Sequence, residues 1–250
     1  KTINYPIFVN KNIVEEILKV HHKITEEKIH LEPQVGKING LYATENDIGG
    51  IIPIEINFLP ADKKLEMNLT GNQGKIMKES MEVAKTLAWN ILPDKMRKTI
   101  NRNWQHYGLH IHCPEGSILK DGPSAGTAIT TAIISRLVGV PIYNDIAITG
   151  EIDLSGNVLE IGGLDLKLHG AKKAGINTVL ISKQNEKDYL KILDKYKKLI
   201  DKHFKVIIIN TIWDALEYCL VSNNLDFENH IRLEESHKKI KTRKKNVKVI

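Results

Sequence analysis

Cysteine and long apolar segments are scarce in this sequence of 250 residues. Its two cysteines, Cys113 and Cys219, lie far apart and no C-x-x-C pair occurs, which argues against a disulfide scaffold or a structural zinc site. The longest apolar runs, such as the one beginning at Val206, are too short to cross a bilayer. No signal-peptide pattern follows the first residue. We therefore expect an intracellular, reducing compartment, either the cytoplasm or, in a eukaryote, the mitochondrial matrix.

Charge of one sign is also missing from most of the chain. The net charge is +6, but residues 231–250 alone hold eight Lys or Arg against two Glu, a surplus that equals the whole net charge. The rest of the chain is therefore neutral overall, which weakens any nucleic-acid-binding role for the globular part. We expect residues 223–250 to form a flexible basic extension, with weak nucleic-acid binding as its alternative role.

The pattern of apolar residues predicts a helical N-terminal segment followed by one mixed domain. Residues 1–34 contain an amphipathic helix that begins near Asn10, and the turn-forming P-Q-V-G-K follows it. Short β-rich runs dominate from there to Thr70, and later strands alternate with helices. Antiparallel β-hairpins plus strand–helix–strand units predict an α+β, or mixed α/β, domain over residues 35–222.

One serine stands at the start of the most apolar predicted helix. In K-D-G-P-S-A-G-T-A, Pro123 suits a first helical position, so Ser124 is expected in the first turn. There the unpaired backbone N–H groups and the helix dipole can stabilise an oxyanion. Gly126 has no side chain and would let a substrate backbone approach. The alternative is a serine that only caps the helix.

A base for that serine is suggested by the stretch G-G-L-D-L-K-L-H-G-A-K-K-A-G. At about 100° per residue, Lys167 falls inside an apolar arc of this predicted helix. The other members of the arc are Leu164, Leu168, Ala171 and Ala174. Burial lowers the pKa of a lysine, and a neutral amine can accept a proton from a serine hydroxyl. The alternative is a lysine that snorkels to water.

Two histidines, His110 and His112, share one face of the predicted strand that precedes Ser124. They leave a His-based serine hydrolase open as another interpretation. An H-x-H pair can also bind metal, but the sequence shows no third ligand beside it. We therefore expect no metal site.

Two long blocks, P-E-G-S-I-L-K-D-G-P-S-A-G-T-A and I-T-G-E-I-D-L-S-G-N-V-L-E-I-G-G-L-D-L-K, resemble the proteolytic domain of Lon proteases, as does the upstream H-I-H. The resemblance covers roughly residues 36–220. It implies a fold like that of ribosomal protein S5 domain 2 and a serine endopeptidase that cleaves unfolded or damaged proteins. It also implies that Ser124 is the nucleophile and Lys167 the general base. Supporting positions implied by the resemblance are Thr149, which would hydrogen-bond the lysine, Asp121, Gly122, Ala125, Glu151, His110 and His112.

The resemblance further implies an ATP-dependent assembly. Lon proteases form hexameric rings with an AAA+ module upstream, so we expect a homo-hexamer and expect ATP and magnesium in that module of a longer protein. Residues 1–34 resemble the end of the AAA+ α-helical subdomain. No cofactor is expected in this chain itself, because T-G-N-Q-G-K-I-M lacks P-loop spacing and a Ser or Thr after Lys75. The competing interpretation is a Lon-like scaffold or nucleic-acid-binding module that cleaves nothing.

Overall fold

The computed structural model describes residues 9–17, 29–103, 106–114 and 119–221. Within these residues helices cover both faces of a mixed sheet, so the predicted mixed α/β class is confirmed. The helices are α1 Lys11–Ile17, α2 Lys75–Ile91, α3 Asp94–Asn103, α4 Gly126–Val138, α5 Leu164–Ala174, α6 Glu186–Lys195 and α7 Ile212–Cys219. The strands are β1 Gln34–Val35, β2 Lys37–Ala43, β3 Gly49–Pro60, β4 Met67–Thr70, β5 Tyr107–His112, β6 Pro141–Ile142, β7 Ile146–Thr149, β8 Glu151–Ile152, β9 Val158–Leu159, β10 Thr178–Ser182 and β11 Lys205–Ile209.

The main sheet has seven strands in the order β11-β10-β7-β2-β3-β5-β4. Its middle strands β2, β3 and β5 are antiparallel neighbours, as the predicted hairpins require. The strands β7, β10 and β11 run parallel to one another, and helices connect them. Because β7 also pairs with β2 in parallel, the end of β7 lies well inside the sheet and not at its edge.

Each face of the sheet carries its own hydrophobic core. One core packs α2, α4 and α7 against the sheet, and the other packs α5 and α6. Helix α4 has 11 of its 13 residues buried, which confirms the prediction from its nearly uncharged sequence. Two of its buried hydroxyls bond within the helix: Thr130 Oγ1 donates to the Gly126 carbonyl at 2.8 Å, and Thr131 Oγ1 donates to the Thr127 carbonyl at 2.9 Å. Such a helix is a rigid, fully packed element.

Helix α5 crosses strand β3 in direct backbone contact. A Cβ on Gly170 would lie 2.2 Å from the carbonyl carbon of Gly49, so neither glycine can carry a side chain without displacing the helix. The helix is closed by Gly175, which adopts the left-handed conformation that favours glycine. This close packing fixes the depth at which the side chains of α5 meet the sheet.

Several elements differ from the sequence predictions. Helix α6 ends at Lys195, where Tyr196 leaves the helical conformation, so the alternating pattern of the later elements includes a non-helical stretch before β11. Helix α3 and the short pair β1–β6 were not predicted. The predicted N-terminal helix is described only as Lys11–Ile17, and the predicted extension 223–250 lies outside the described residues. No helix in the described ranges is both long and apolar enough to span a membrane.

Candidate active site

Ser124 lies just before helix α4 and does not cap it. The N-cap residue is Ala125, and no side chain caps the helix, so the expected capping role is wrong. Pro123 is not the first helical residue either, because its carbonyl accepts the Gly126 amide at 3.0 Å in a turn that precedes the helix. Gly122 enters this turn with φ of 113°, a conformation that favours glycine. The hydroxyl of the half-buried Ser124 is thus held on a tight turn and not inside the helix.

The turn is joined to the end of β7 through Gly150. The Gly150 amide donates to the Ser124 carbonyl at 2.9 Å, and the Gly150 carbonyl accepts the amide of Thr127 at 3.1 Å and its hydroxyl at 2.9 Å. A Cβ on Gly150 would lie 2.4 Å from Val158, so only glycine fits here. The candidate nucleophile is therefore fastened to the residue that follows Thr149.

Lys167 lies on the buried face of α5, as its position on the helix predicts. Its side chain is 4% exposed, and its Nζ donates to Thr149 Oγ1 at 3.2 Å. Burial lowers the pKa of Lys167 from 10.5 to about 8. This change raises the neutral fraction of the amine at pH 7 by roughly 300-fold. The snorkelling alternative is wrong, because the amine reaches a buried hydroxyl and not water.

Ser124 and Lys167 are brought to the same end of the sheet through adjacent residues. Ser124 bonds to Gly150, and Lys167 bonds to Thr149. Among the described residues, no hydrogen bond joins Ser124 Oγ to Lys167 Nζ. Proton transfer between them therefore requires the two atoms to approach each other or water to bridge them.

Some of the described backbone amides around Ser124 are free to bind an oxyanion, and others already have an acceptor. Within the described part of the chain, the amides of Ser124 and Ala125 have no hydrogen-bond acceptor, whereas the Gly126 amide is taken by Pro123. The first two amides are thus available to a carbonyl oxygen that develops charge beside Ser124. The expected substrate approach over Gly126 is wrong: a Cβ there would lie 2.8 Å from Ser80 Oγ and 2.9 Å from Ile152, so the protein itself fills that space.

Asp121 caps a neighbouring helix. Its Oδ1 accepts the amide of Met77, in the first turn of α2, and the amide of Gly122, both at 2.9 Å. The backbone hydrogen bond from Met77 is the main reason that the pKa of Asp121 lies below its usual range. The carboxylate therefore positions the loop that leads to Ser124 against the N-terminus of α2.

The two histidines converge on one hydroxyl in β4. His110 Nε2 lies 2.8 Å and His112 Nδ1 lies 2.7 Å from Thr70 Oγ1. This confirms that they share one strand face. No group of three or more His, Cys, Asp or Glu within the described ranges is arranged to hold a metal ion. Glu151, in β8, is half-buried and lies opposite Leu159, and its carbonyl is 3.4 Å from Thr127 Oγ1.

Sequence reasoning missed three residues that build this site. Gly150 fastens Ser124, Thr127 holds Gly150, and Thr70 joins the histidines. Gly150 stands inside the quoted T-G-E block, so its position next to Thr149 was a signal. Nothing in the pattern around Thr127 or Thr70 distinguishes either from other threonines.

The chemistry offered by this arrangement is that of a hydrolase with a serine nucleophile and a lysine base, in a mixed α/β domain. Comparison with known proteins agrees with that class. The sequence profile of the Lon protease (S16) C-terminal proteolytic domain matches residues 8–222. The chain therefore belongs to the Lon protease family and corresponds to its proteolytic domain.

Individual relatives lead to the same conclusion. A Lon protease homolog of Acanthamoeba polyphaga mimivirus is 42% identical over 84% of this chain and 21% of its own length. Lon protease 1 of Thermus thermophilus is 42% identical over 73% of this chain and 22% of its own. The peroxisomal Lon protease homolog 2 of Caenorhabditis briggsae is 36% identical over 86% of this chain and 27% of its own. The chain thus spans about a quarter of these relatives. The resemblance drawn from the sequence blocks is confirmed, and the scaffold alternative gains no support.

Proposed function

We propose that this chain is the catalytic domain of an ATP-dependent serine endopeptidase that cleaves unfolded or damaged proteins through an acyl-enzyme at Ser124. The observation that carries the proposal is the buried amine of Lys167. It is hydrogen-bonded to Thr149, and the next residue, Gly150, holds the backbone of Ser124. Burial keeps a useful fraction of the amine neutral near pH 7.

In the acylation step, neutral Lys167 Nζ takes the proton of Ser124 Oγ while Oγ bonds to the scissile carbonyl carbon. The carbonyl oxygen becomes an oxyanion and accepts hydrogen bonds from the amides of Ser124 and Ala125. Collapse of this intermediate breaks the C–N bond, and the Lys167 ammonium gives its proton to the leaving amine. The products are a free amine and an ester of Ser124.

In the deacylation step, Lys167 takes a proton from water as the water oxygen attacks the ester carbonyl. The second tetrahedral intermediate collapses, Ser124 leaves, and the lysine returns the proton to Oγ. Thr149 Oγ1, which accepts a hydrogen bond from Nζ, orients the lysine lone pair in both steps. Asp121 and Gly122 act indirectly, by shaping the turn that carries the serine.

The proposal places nucleotide binding outside this chain, in an AAA+ module of a longer protein that would bind ATP and magnesium. A physical observation supports this placement. The N-terminal amides of α2, where the only glycine–lysine stretch of interest lies, already bind the carboxylate of Asp121 through Met77. An anion thus occupies the position that a phosphate would need. We also propose that the protein forms a homo-hexamer and is intracellular. These two statements rest on membership of the Lon protease family.

The experiment is to treat the chain with a serine-directed acylating probe or a peptide boronate and to locate the adduct by mass spectrometry. We expect modification at Ser124 alone, none in Ser124→Ala, and only residual labelling in Lys167→Ala. Full peptide cleavage by purified, folded Ser124→Ala would contradict the proposal.

A further inference from the structure

Residues 29–36, here called the strap, run along the ends of the candidate catalytic elements that lie away from the site. At the first end of the strap, the Ile29 amide donates to the carbonyl of Ala174, the last residue of α5, at 3.4 Å. The Ile29 side chain packs into the same core as Leu168 and reaches the space above Gly175. Lys167 lies seven residues earlier on this helix, or roughly 10 Å along its axis.

At its other end the strap is bonded to the last turn of α4. The Gly36 amide donates to Ser135 Oγ at 2.9 Å. Arg136 Nη2 donates to the Val35 carbonyl at 2.6 Å, and its Nε donates to the carbonyl of Ile56 in β3, also at 2.6 Å. One half-buried guanidinium therefore joins the strap, the sheet and the helix that begins beside Ser124.

The strap is also bonded, through its second residue, to the segment that leads into β7. Asn144 Nδ2 donates to the His30 carbonyl at 2.8 Å. The Asn144 carbonyl in turn accepts Asn39 Nδ2 at 2.9 Å, and the same amide group donates to the Ile146 carbonyl at 2.9 Å. Ile146 is the first residue of β7, and Thr149 is its last. The strap thus contacts, directly or through one side chain, each of the elements that carry or precede the three candidate residues.

We propose that the strap is a positioning element that sets α4, β7 and α5 relative to one another, and that Arg136 of α4 is the principal positioning residue, because it bonds the strap to the sheet. The proposal rests on the function proposed for Ser124 and Lys167. Helices and strands are stiff, so a displacement at one end moves the other end. A misplacement of about 1 Å can reduce a rate by about 100-fold.

Substitution of Gly36 tests the role of Arg136. An added methyl group there has two effects, backbone strain at a positive φ and a clash with Arg136, and a control at Gly139 has only the first. Gly36 has φ of 72°, and a Cβ there would lie 2.7 Å from Arg136 Nε and 2.5 Å from the Ile56 carbonyl. Gly139, which follows α4, has φ of 73° and no atom within 4 Å of its Cβ position. Gly36→Ala and Gly139→Ala therefore place an alanine at nearly the same positive φ, but only the first pushes against Arg136 and the Ile56 carbonyl that it binds.

Two measurements on the full chain decide the outcome. The first is the rate constant for acylation of Ser124 by a serine-directed probe at saturation. We expect Gly36→Ala to lower it about tenfold or more, with the half-saturating probe concentration unchanged within about twofold, and Gly139→Ala to stay within about twofold of the wild type. The second is the rate at which acetic anhydride modifies Lys167, measured by mass spectrometry against Lys173 of the same helix. We expect Gly36→Ala to raise this rate about fivefold, since a shifted α5 exposes the amine.

The proposal is overturned if Gly36→Ala and Gly139→Ala match in both measurements. If Gly36→Ala does not fold, Arg136→Lys replaces it, because lysine keeps the charge but cannot donate to two carbonyls as a planar fork does. Arg102→Lys, at an exposed position of α3, is then the control. A wild-type chain that is never acylated at Ser124 would count against the proposed function alone. The reactivity of Lys167 would still decide the role of the strap.

Discussion

At the scale of single residues, the candidate active site depends on a lysine buried on the apolar face of α5. The amine of Lys167 is 4% exposed, and burial lowers its pKa to about 8. This residue could be predicted from the sequence because burial of an apolar helix face follows from the 3.6-residue period. Its hydrogen bond to Thr149 could not be derived from the period, since that contact joins two elements that only the fold brings together.

Replacing the amine with an apolar group separates catalysis from stability. We expect Lys167→Met to reduce the acylation rate at least about 100-fold, because the general base is gone. The same change should raise the free energy of unfolding, by up to about 3 kcal/mol below pH 8, since the amine is still protonated there and burying its charge destabilises the fold. Between pH 8 and 10.5 Lys167 is mostly protonated in the unfolded chain and mostly neutral in the folded chain. The difference in free energy of unfolding between Lys167→Met and the wild type therefore narrows as the pH rises through this range. Lys173→Met on the exposed face is the control, and urea unfolding is the measurement.

The hydroxyl of Thr149 has a separate test. We expect Thr149→Val to lower the acylation rate about tenfold, because the lysine amine loses the acceptor that orients it. Thr130→Val removes a buried hydroxyl that bonds only within α4, and should leave the rate within about twofold of the wild type. Equal rates for the two variants would remove Thr149 from the mechanism.

At the scale of elements, the turn that carries Ser124 could not be predicted in detail from the sequence. The position of α4 and its burial follow from its composition, but the helix begins at Gly126 and not at Pro123. The turn is set by Gly150, which is 26 residues away from Ser124 in sequence. The space over Gly126 is filled by Ser80 and Ile152 from two other elements. Such long-range contacts leave no local pattern, so the predicted cap and the predicted substrate approach were both wrong.

Asp121 supplies a prediction about how the serine turn is attached to α2. We expect Asp121→Asn to lower the melting temperature at pH 7, because the ionised carboxylate is the better acceptor for the Met77 and Gly122 amides. The pKa of Asp121 is lower in the folded chain than in the unfolded chain. This stabilisation is therefore present above the ordinary carboxylate pKa and is lost as the pH falls through the folded value.

The control variant for Asp121→Asn is Asp62→Asn, which makes the same substitution at an exposed position. Thermal unfolding should show little difference between Asp62→Asn and the wild type at any pH. A constant melting-temperature deficit for Asp121→Asn at acid and neutral pH would contradict the capping role.

At the scale of the whole molecule, the sequence predicted the class of fold but not its connections. Alternating strands and helices indicated a mixed domain, and the hairpins and parallel units are present as expected. The strap, helix α3 and the β1–β6 pair were not foreseen, because short polar segments acquire structure only from the surface on which they lie. The strap carries Leu31, 95% exposed, beside residues that bond to the catalytic elements, a combination visible only in the fold.

Charge distribution gives a prediction for the molecule as a whole. Residues 231–250 account for the entire net charge, so their removal leaves a neutral chain. We expect any retention of duplex DNA by the full chain in a gel-shift assay to vanish on this deletion and to weaken steeply with salt. Acylation of Ser124 should remain within about twofold of the wild type. A salt-sensitive shift that survives the deletion would instead favour a nucleic-acid-binding module.

The pH dependence of Ser124 acylation identifies the base that activates the serine. If neutral Lys167 is the base, the acylation rate constant rises about tenfold per pH unit and levels off above an apparent pKa of about 8. The rise disappears in Lys167→Ala, which shows only residual labelling at every pH, and persists in His112→Ala. A pH-dependent rate that is lost in His112→Ala but retained in Lys167→Ala would instead identify the histidine as the base and contradict the role proposed for Lys167.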